Sequence, residues 1–293
     1  MIKKRHKVAG CLLFISALTY LVAVYWTRPV EIHPFFANLK NSPEVIAHRG
    51  GWGLWPENTL YGFQRAVDLG ADMLEMDVRA TADSVLVILH DETLDRTTNG
   101  KGPVGDWTLK ELKSLDAGYT WTGDGGQTFP YRGSGLAIPT LDELFDALPH
   151  ARMNIEIKQP DILTALGALI RRHHVADRVM IASFDSGLLR RFRSQFPEIA
   201  TSAGLSEGVL FYVLSRLHLG AAYHPNATAL QIPYRFWRFD TTHPAFLSAA
   251  RTHHLKIHYW TINDAKTMRS LVDLGVDGII TPFPDRFIAL LRP

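Results

Sequence analysis

The chain has 293 residues, 46 % of them apolar, and a formal charge of +2. That is enough apolar material for one large core, and α/β barrels use about 250 residues as a single domain. Lys3, Lys4, Arg5 and Lys7 outweigh the positive surplus, so the remainder is near neutral, with no basic stripe or motif for nucleic acid. The lone cysteine, Cys11, excludes an intrachain disulfide and a zinc finger.

From the N-terminus, residues 8–26 form an uncharged apolar run behind that basic cluster, with Tyr20, Tyr25 and Trp26 toward its far end. The pattern predicts a transmembrane helix with interfacial aromatics. A cleaved signal peptide fits less well, because Ala23-Val24-Tyr25-Trp26-Thr27-Arg28 is a poor small-x-small site. By the positive-inside rule, the expectation is a single-pass protein with a cytoplasmic N-terminus and its catalytic domain across the membrane. The predicted domains are a basic segment and anchor over 1–26, a tether over 27–42, and one catalytic domain over 43–293.

Beyond the tether, strand-like and helix-like runs alternate. Strands are expected at 45–48, 73–78, 153–157, 179–184, 200–203, 229–232, 256–262 and 278–281. Helix patterns cover 60–69, 162–173, 188–196, 209–217, 244–253 and 265–274. Thr140 and Glu143 fit a capping box that opens a helix running to Leu148. A further β-rich run at 85–90 reads as a hairpin return, followed by an insertion over about 91–139. Eight βα units predict a (β/α)8 TIM barrel with a small insertion after the second strand. An open doubly wound sheet would carry a Gly-rich dinucleotide turn after its first strand, and His48-Arg49-Gly50-Gly51-Trp52-Gly53 is not one. His253 and His254 read as surface residues at a helix end.

In such a barrel the chemistry gathers at the C-terminal strand ends. There lie His48-Arg49, then Glu75 and Asp77, whose i, i+2 spacing points both carboxylates the same way. Glu156 and Lys158 repeat that spacing, His90-Asp91 ends the return strand, and Trp260-Thr261-Ile262-Asn263 ends a later one. Three inward carboxylates need positive compensation, and oxygen ligands suit Mg²⁺, Ca²⁺ or Mn²⁺ better than zinc. Arg49 and Lys158 suit the free oxygens of a phosphodiester, and His48 and His90 could share two proton transfers. Singly, each has a plainer explanation: a salt-bridged carboxylate, a loop histidine, a core tryptophan. Five ionisable residues at matching strand ends do not.

The motifs Ala47-His48-Arg49-Gly50-Gly51, Pro56-Glu57-Asn58-Thr59, Leu74-Glu75-Met76-Asp77-Val78 and Leu89-His90-Asp91-Glu92-Thr93-Leu94-Asp95-Arg96-Thr97-Thr98 resemble the glycerophosphodiester phosphodiesterases. Asn154-Ile155-Glu156-Ile157-Lys158, Ser183-Phe184-Asp185 and Trp260-Thr261-Ile262-Asn263 continue the resemblance in order. It implies a phospholipase-C-like barrel with one divalent metal, Ca²⁺ or Mg²⁺ with Mn²⁺ as a further option, on Glu75, Asp77 and Glu156. It also implies His48 and His90 as acid and base, Arg49, Lys158 and Trp260 on the substrate, and an insertion that caps the glycerol end. The implied reaction releases glycerol 3-phosphate and an alcohol. One departure is visible: many members carry Thr-Asp where this chain has Thr281-Pro282-Phe283-Pro284.

A membrane-anchored lysophospholipase D, releasing lysophosphatidic acid, is the alternative. The anchor and the aromatic run Tyr234-Arg235-Phe236-Trp237-Arg238-Phe239 favour it. A catalytically dead binding protein would be expected to lack a ligand or a histidine, and none is lost. A metal-dependent amidohydrolase would carry His-x-His on its first strand.

Overall fold

The computed structural model describes residues 18, 20–22, 24–25, 31–37, 43–235 and 239–292. The strands are β1 (Glu44–Ala47), β2 (Met73–Ala80), β3 (Leu86–Ile88), β4 (Met153–Ile157), β5 (Val179–Ala182), β6 (Ala200–Thr201), β7 (Ala229–Pro233), β8 (Lys256–Trp260) and β9 (Gly278–Thr281). All but β3 lie parallel in the order β6-β5-β4-β2-β1-β9-β8-β7. A parallel bridge from Ser202 to Ala229 links the two outer strands, so the sheet is a nearly closed eight-stranded barrel. β3 pairs antiparallel to the far end of β2, the expected hairpin return, and leads into the insertion.

The helices are α1 (Pro34–Ala37), α2 (Leu60–Leu69), α3 (Leu109–Leu112), α4 (Leu141–Ala147), α5 (Leu163–Arg172), α6 (Ser186–Gln195), α7 (Leu205–Arg216), α8 (Pro244–Thr252), α9 (Ala265–Asp273) and α10 (Pro284–Leu291). Local chemistry sets their ends. Thr59 caps α2, accepting from the Gly62 N–H, and Gly70 stops it at φ 99°, a conformation open to glycine. Thr140 and Glu143 form the expected capping box on α4. α7 begins one turn earlier than its apolar pattern suggests, because the Glu207 carboxylate accepts from the Gly204 N–H at 2.9 Å and secures a polar first turn.

Aromatic side chains close the floor of the barrel, and its mouth is polar. Phe35 and Phe36 of α1 are buried against Ile46, Met73, Met180, Ala200, Ala229 and Ile280. The Arg152 guanidinium lies 4.3 Å from the Phe35 ring centroid, donates to the Phe35 carbonyl at 3.0 Å, and ion-pairs with Glu44. This one helical turn closes the end of the barrel opposite the polar mouth.

Two expectations are corrected. The first is the single-pass membrane placement with the catalytic domain across the bilayer. Among the described residues, no helix is long and apolar enough to cross a membrane, a crossing that needs about 20 consecutive residues. Of the 8–26 run, Leu18, Tyr20, Leu21, Val22, Val24 and Tyr25 are described, all helical. The Tyr20 hydroxyl donates to the barrel's His218 carbonyl at 3.2 Å; the rest of the run lies outside the described residues. The second is His253, which is 1 % exposed. Its Nε2 bonds the Gly220 carbonyl at 2.7 Å and its ring packs against Phe211 and Tyr223. The helix ends there, but on its inner side.

Alanine at His253 therefore costs about 1–3 kcal/mol, by removing one of two hydrogen bonds to the Gly220 carbonyl and the ring's packing against Phe211 and Tyr223. Alanine at Phe36 costs about 3–5 kcal/mol, by opening the barrel floor. Urea unfolding measures both, and wild-type stability in either variant would contradict the packing described here.

Candidate active site

The strand register brings the acidic residues together. Asp77 on β2 is the direct partner of Glu156 on β4, and Glu75 is the partner of Asn154. One carboxylate oxygen from each of Glu75, Asp77 and Glu156 lies within 4.8 Å of the others. Lys158 Nζ sits 3.0 Å from Asp77 Oδ1 and 2.9 Å from Glu156 Oε2. Arg49 Nε is 3.5 Å from Asp77 Oδ2, and the Arg49 backbone N–H donates to Glu75 Oε2 at 2.8 Å. That backbone bond depends on a tight turn after β1: Arg49, Gly50 and Gly51 have φ of 50°, 77° and 94°. At Gly50 an added Cβ would come within 2.9 Å of the Phe63 ring, so the turn needs glycine for both conformation and space.

Two histidines flank the cluster. His48 Nε2 lies 3.8 Å from Glu75 Oε2, and its Nδ1 accepts from the Trp52 indole at 3.2 Å. In the neutral ring the proton therefore sits on Nε2. His90 has the opposite arrangement, with Nδ1 bonded to Asp91 Oδ1 at 2.6 Å, which leaves Nε2 unprotonated in the neutral form. His48, Arg49, Glu75, His90, Glu156, Lys158 and Trp260 line a common cavity of about 370 Å³. Asp77 lies beneath it, 1 % exposed. Every site residue expected from the sequence thus falls in one place.

Burial and charge balance set the protonation of the cluster. Burial, then the charge of Asp77, holds the Glu75 carboxyl well above its ordinary range. Burial raises Glu156 against the pull of Lys158. Burial would raise Asp77 too, but Lys158 and Arg49 outweigh it and keep the carboxyl below its usual range. Burial, then Arg49, pushes His48 down to about 3. The protein's own cations thus satisfy Asp77 and leave Glu75 in excess. Asp77 Oδ1 is buried, with its charge met by Lys158 Nζ at 3.0 Å. An all-oxygen set of three clustered carboxylates against two cations fits a hard divalent cation.

Sequence reasoning assigned no role to several residues that hold this site. Asn58 donates to Asp77 Oδ2 at 3.1 Å, and Glu57 accepts from Arg49 at 3.2 Å; both belong to the Pro56-Glu57-Asn58-Thr59 motif. From the insertion, the Trp121 indole donates to the Trp52 carbonyl at 2.9 Å. The departure at 281–284 also has a local purpose. The Gly53 N–H donates to the Pro282 carbonyl at 3.1 Å, and the Phe283 ring fills the space a side chain at Gly53 would need. This pair buttresses the loop after His48.

A wider comparison agrees with this geometry. The model of the glycerophosphoryl diester phosphodiesterase family matches residues 48–286. A glycerophosphodiester phosphodiesterase of Caldanaerobacter subterraneus is 37 % identical over 257 residues, covering 85 % of this chain and 97 % of the relative. One from Bacillus altitudinis is 33 % identical, covering 84 % and 97 %. Among solved structures, a glycerophosphodiester phosphodiesterase of Agrobacterium tumefaciens superposes with a TM-score of 0.68 at 31 % identity, over 83 % of this chain and 98 % of that one. An Oleispira antarctica phosphodiesterase in complex with the product sn-glycerol-3-phosphate gives 0.70 at 29 % identity, over 86 % and 98 %. The family match spans both histidines, all three carboxylates and both cationic side chains, and the chain belongs to the glycerophosphoryl diester phosphodiesterase family as an enzyme of that activity.

Proposed function

We propose that this chain hydrolyses glycerophosphodiesters to glycerol 3-phosphate and an alcohol, with Glu75, Asp77 and Glu156 holding one divalent metal ion, Mg²⁺ or Ca²⁺. The observation that carries the proposal is the oxygen cluster within 4.8 Å, flanked by two cationic side chains and by histidines of opposite tautomer. When bound, the ion would polarise a phosphoryl oxygen and offset the excess charge on Glu75. Arg49 and Lys158 face the cavity, where they bind the phosphoryl oxygens and orient them. His90, with its free Nε2, takes the proton of the attacking hydroxyl. His48, which burial and Arg49 keep neutral on its own, would act as the acid once protonated to the imidazolium, a form the bound anionic diester favours, and would return to the neutral ring on giving its proton to the leaving oxygen. Trp260, edge-to-face with Phe184 at 5.7 Å, forms the wall beside the reacting group.

A second reading, with lysophospholipids as substrate, is supported by the other end of the cavity. Beyond Trp260 it runs between Phe184, Leu205, Val209, Tyr212, Ile232 and Phe246, and a water-soluble glycerophosphodiester has nothing to bury there. Of the aromatic run at 234–239, Phe239 lines this arm, whereas 236–238 lie outside the described residues.

Alanine at His48 or at His90 lowers turnover of glycerophosphocholine by about 10²-fold or more. Excess EDTA abolishes it, and added Mg²⁺, Ca²⁺ or Mn²⁺ restores it. Full activity in EDTA, without tightly held metal by elemental analysis, would sink the metal assignment. For the second reading, Val209→Asp should cut turnover of a short-chain lysophosphatidylcholine while sparing glycerophosphocholine. Equal effects on both, or no lysolipid turnover in the wild type, would leave the soluble diester as the substrate.

A further inference from the structure

One chain of charged contacts leaves the site and returns to it. Asp91 Oδ1 bonds His90 Nδ1 at 2.6 Å, and Asp91 Oδ2 accepts from Arg96 Nε, also at 2.6 Å. The two terminal nitrogens of Arg96 then clasp Glu57, at 2.7 and 2.8 Å. Glu57 Oε1 accepts from Arg49 at 3.2 Å, and Arg49 faces Asp77 at 3.5 Å. Asp91 and Arg96 open the insertion, whereas Glu57 belongs to the loop after β1.

We propose that Asp91, Arg96 and Glu57 are positioning residues that lock His90 as a proton acceptor and couple its orientation to the phosphate-facing Arg49. The inference rests on the reading of His90 given above. Its physics is that of an imidazole whose outer nitrogen is committed to a carboxylate. The bond fixes the tautomer, limits ring rotation, and stabilises the imidazolium formed on proton uptake. Asp91 alone would do this loosely, since its side chain is 28 % exposed. Arg96 fixes it through one bond from Nε, while its two terminal nitrogens pair bidentately with Glu57, which sets the angle of the guanidinium as well as its distance. Burial works against ionisation of Asp91, but the bonds from Arg96 and His90 outweigh it and hold its carboxyl at about 2, so it stays a carboxylate wherever the enzyme works.

Surrounding contacts hold the ring from its other sides. Arg79 Nε donates to the His90 carbonyl at 3.0 Å, and the Thr120 hydroxyl donates to the Arg96 carbonyl at 2.6 Å. A purely structural ion pair would need none of this alignment. Arg96 is 47 % exposed along its side chain, where an isolated pair contributes little to stability. Its place in the ring therefore points to geometry rather than to folding.

The test is steady-state kinetics on glycerophosphocholine with metal-saturated, full-length protein, comparing Asp91→Asn, Arg96→Gln and His90→Ala. Asp91→Asn should lower kcat by about 10–10²-fold, as loss of an outer partner does, with KM within twofold and thermal stability near wild type. Arg96→Gln should move the same way by less, and Arg96→Lys should recover only part, lacking the fork. In the His90→Ala background, Asp91→Asn should add no further loss. If His90→Ala is inactive while Asp91→Asn keeps full kcat, or if the two losses multiply, the positioning role is overturned and the reading of His90 stands. If His90→Ala itself keeps full activity, the reading of His90 falls and the relay with it.

Discussion

Three carboxylates on two adjacent strands face two cationic side chains at one barrel mouth, and the arrangement of this site follows from their imbalance. The β2–β4 register makes Asp77 and Glu156 neighbours, and Lys158 bridges them from the same strand end. With Arg49, that suffices for Asp77 but not for Glu75, which burial and the charge of Asp77 push toward its neutral form. Unpaired charge of this kind is costly inside a protein. A site that gathers three carboxylates around two cations is suited to receive further positive charge. On the proposed reading, a divalent ion would supply that charge and so let the same site accept an anionic diester.

The loops around the cluster are organised to keep that geometry. The turn after β1 uses left-handed backbone at Arg49, Gly50 and Gly51 to aim one N–H at Glu75. Phe283 and Pro282 brace the same loop from β9, in a segment that departs from the common family pattern. The insertion has a small core of its own, in which Leu94, Val104, Leu112 and Ile138 pack beneath Val87 and Leu89. It can therefore present Asp91, Arg96 and Trp121 from a fixed platform instead of a free loop.

Much of this was legible in the sequence, for identifiable reasons. Alternating strand and helix patterns reveal the barrel, charged residues toward the C-terminal strand ends reveal its active face, and i, i+2 spacing reveals Glu75 with Asp77 and Glu156 with Lys158. Other features are three-dimensional. His253 sits where a helix pattern ends, which says nothing of whether that end faces solvent or α7. Glu207 extends α7 through a cap that apolar periodicity does not register. The ring from His90 to Arg49 joins residues 39 apart in sequence through Arg96 and Glu57, and no local pattern encodes such a closure. The apolar run at 8–26 meets the compositional rule for a membrane span. Among its described residues no helix is long and apolar enough to cross a membrane, and Tyr20 bonds the barrel, a contact that composition does not register.

The central claim is that Glu75, Asp77 and Glu156 are a cation site, and direct binding tests it without reference to turnover. Calorimetric titration of metal-stripped protein with Mn²⁺, Mg²⁺ and Ca²⁺ should give one ion per chain. Asp77→Asn should weaken binding by roughly 10²-fold or more, at least what loss of an outer partner costs, while leaving the fold intact by circular dichroism. No binding at millimolar metal, or unchanged affinity in the Asp77→Asn protein, would contradict the account.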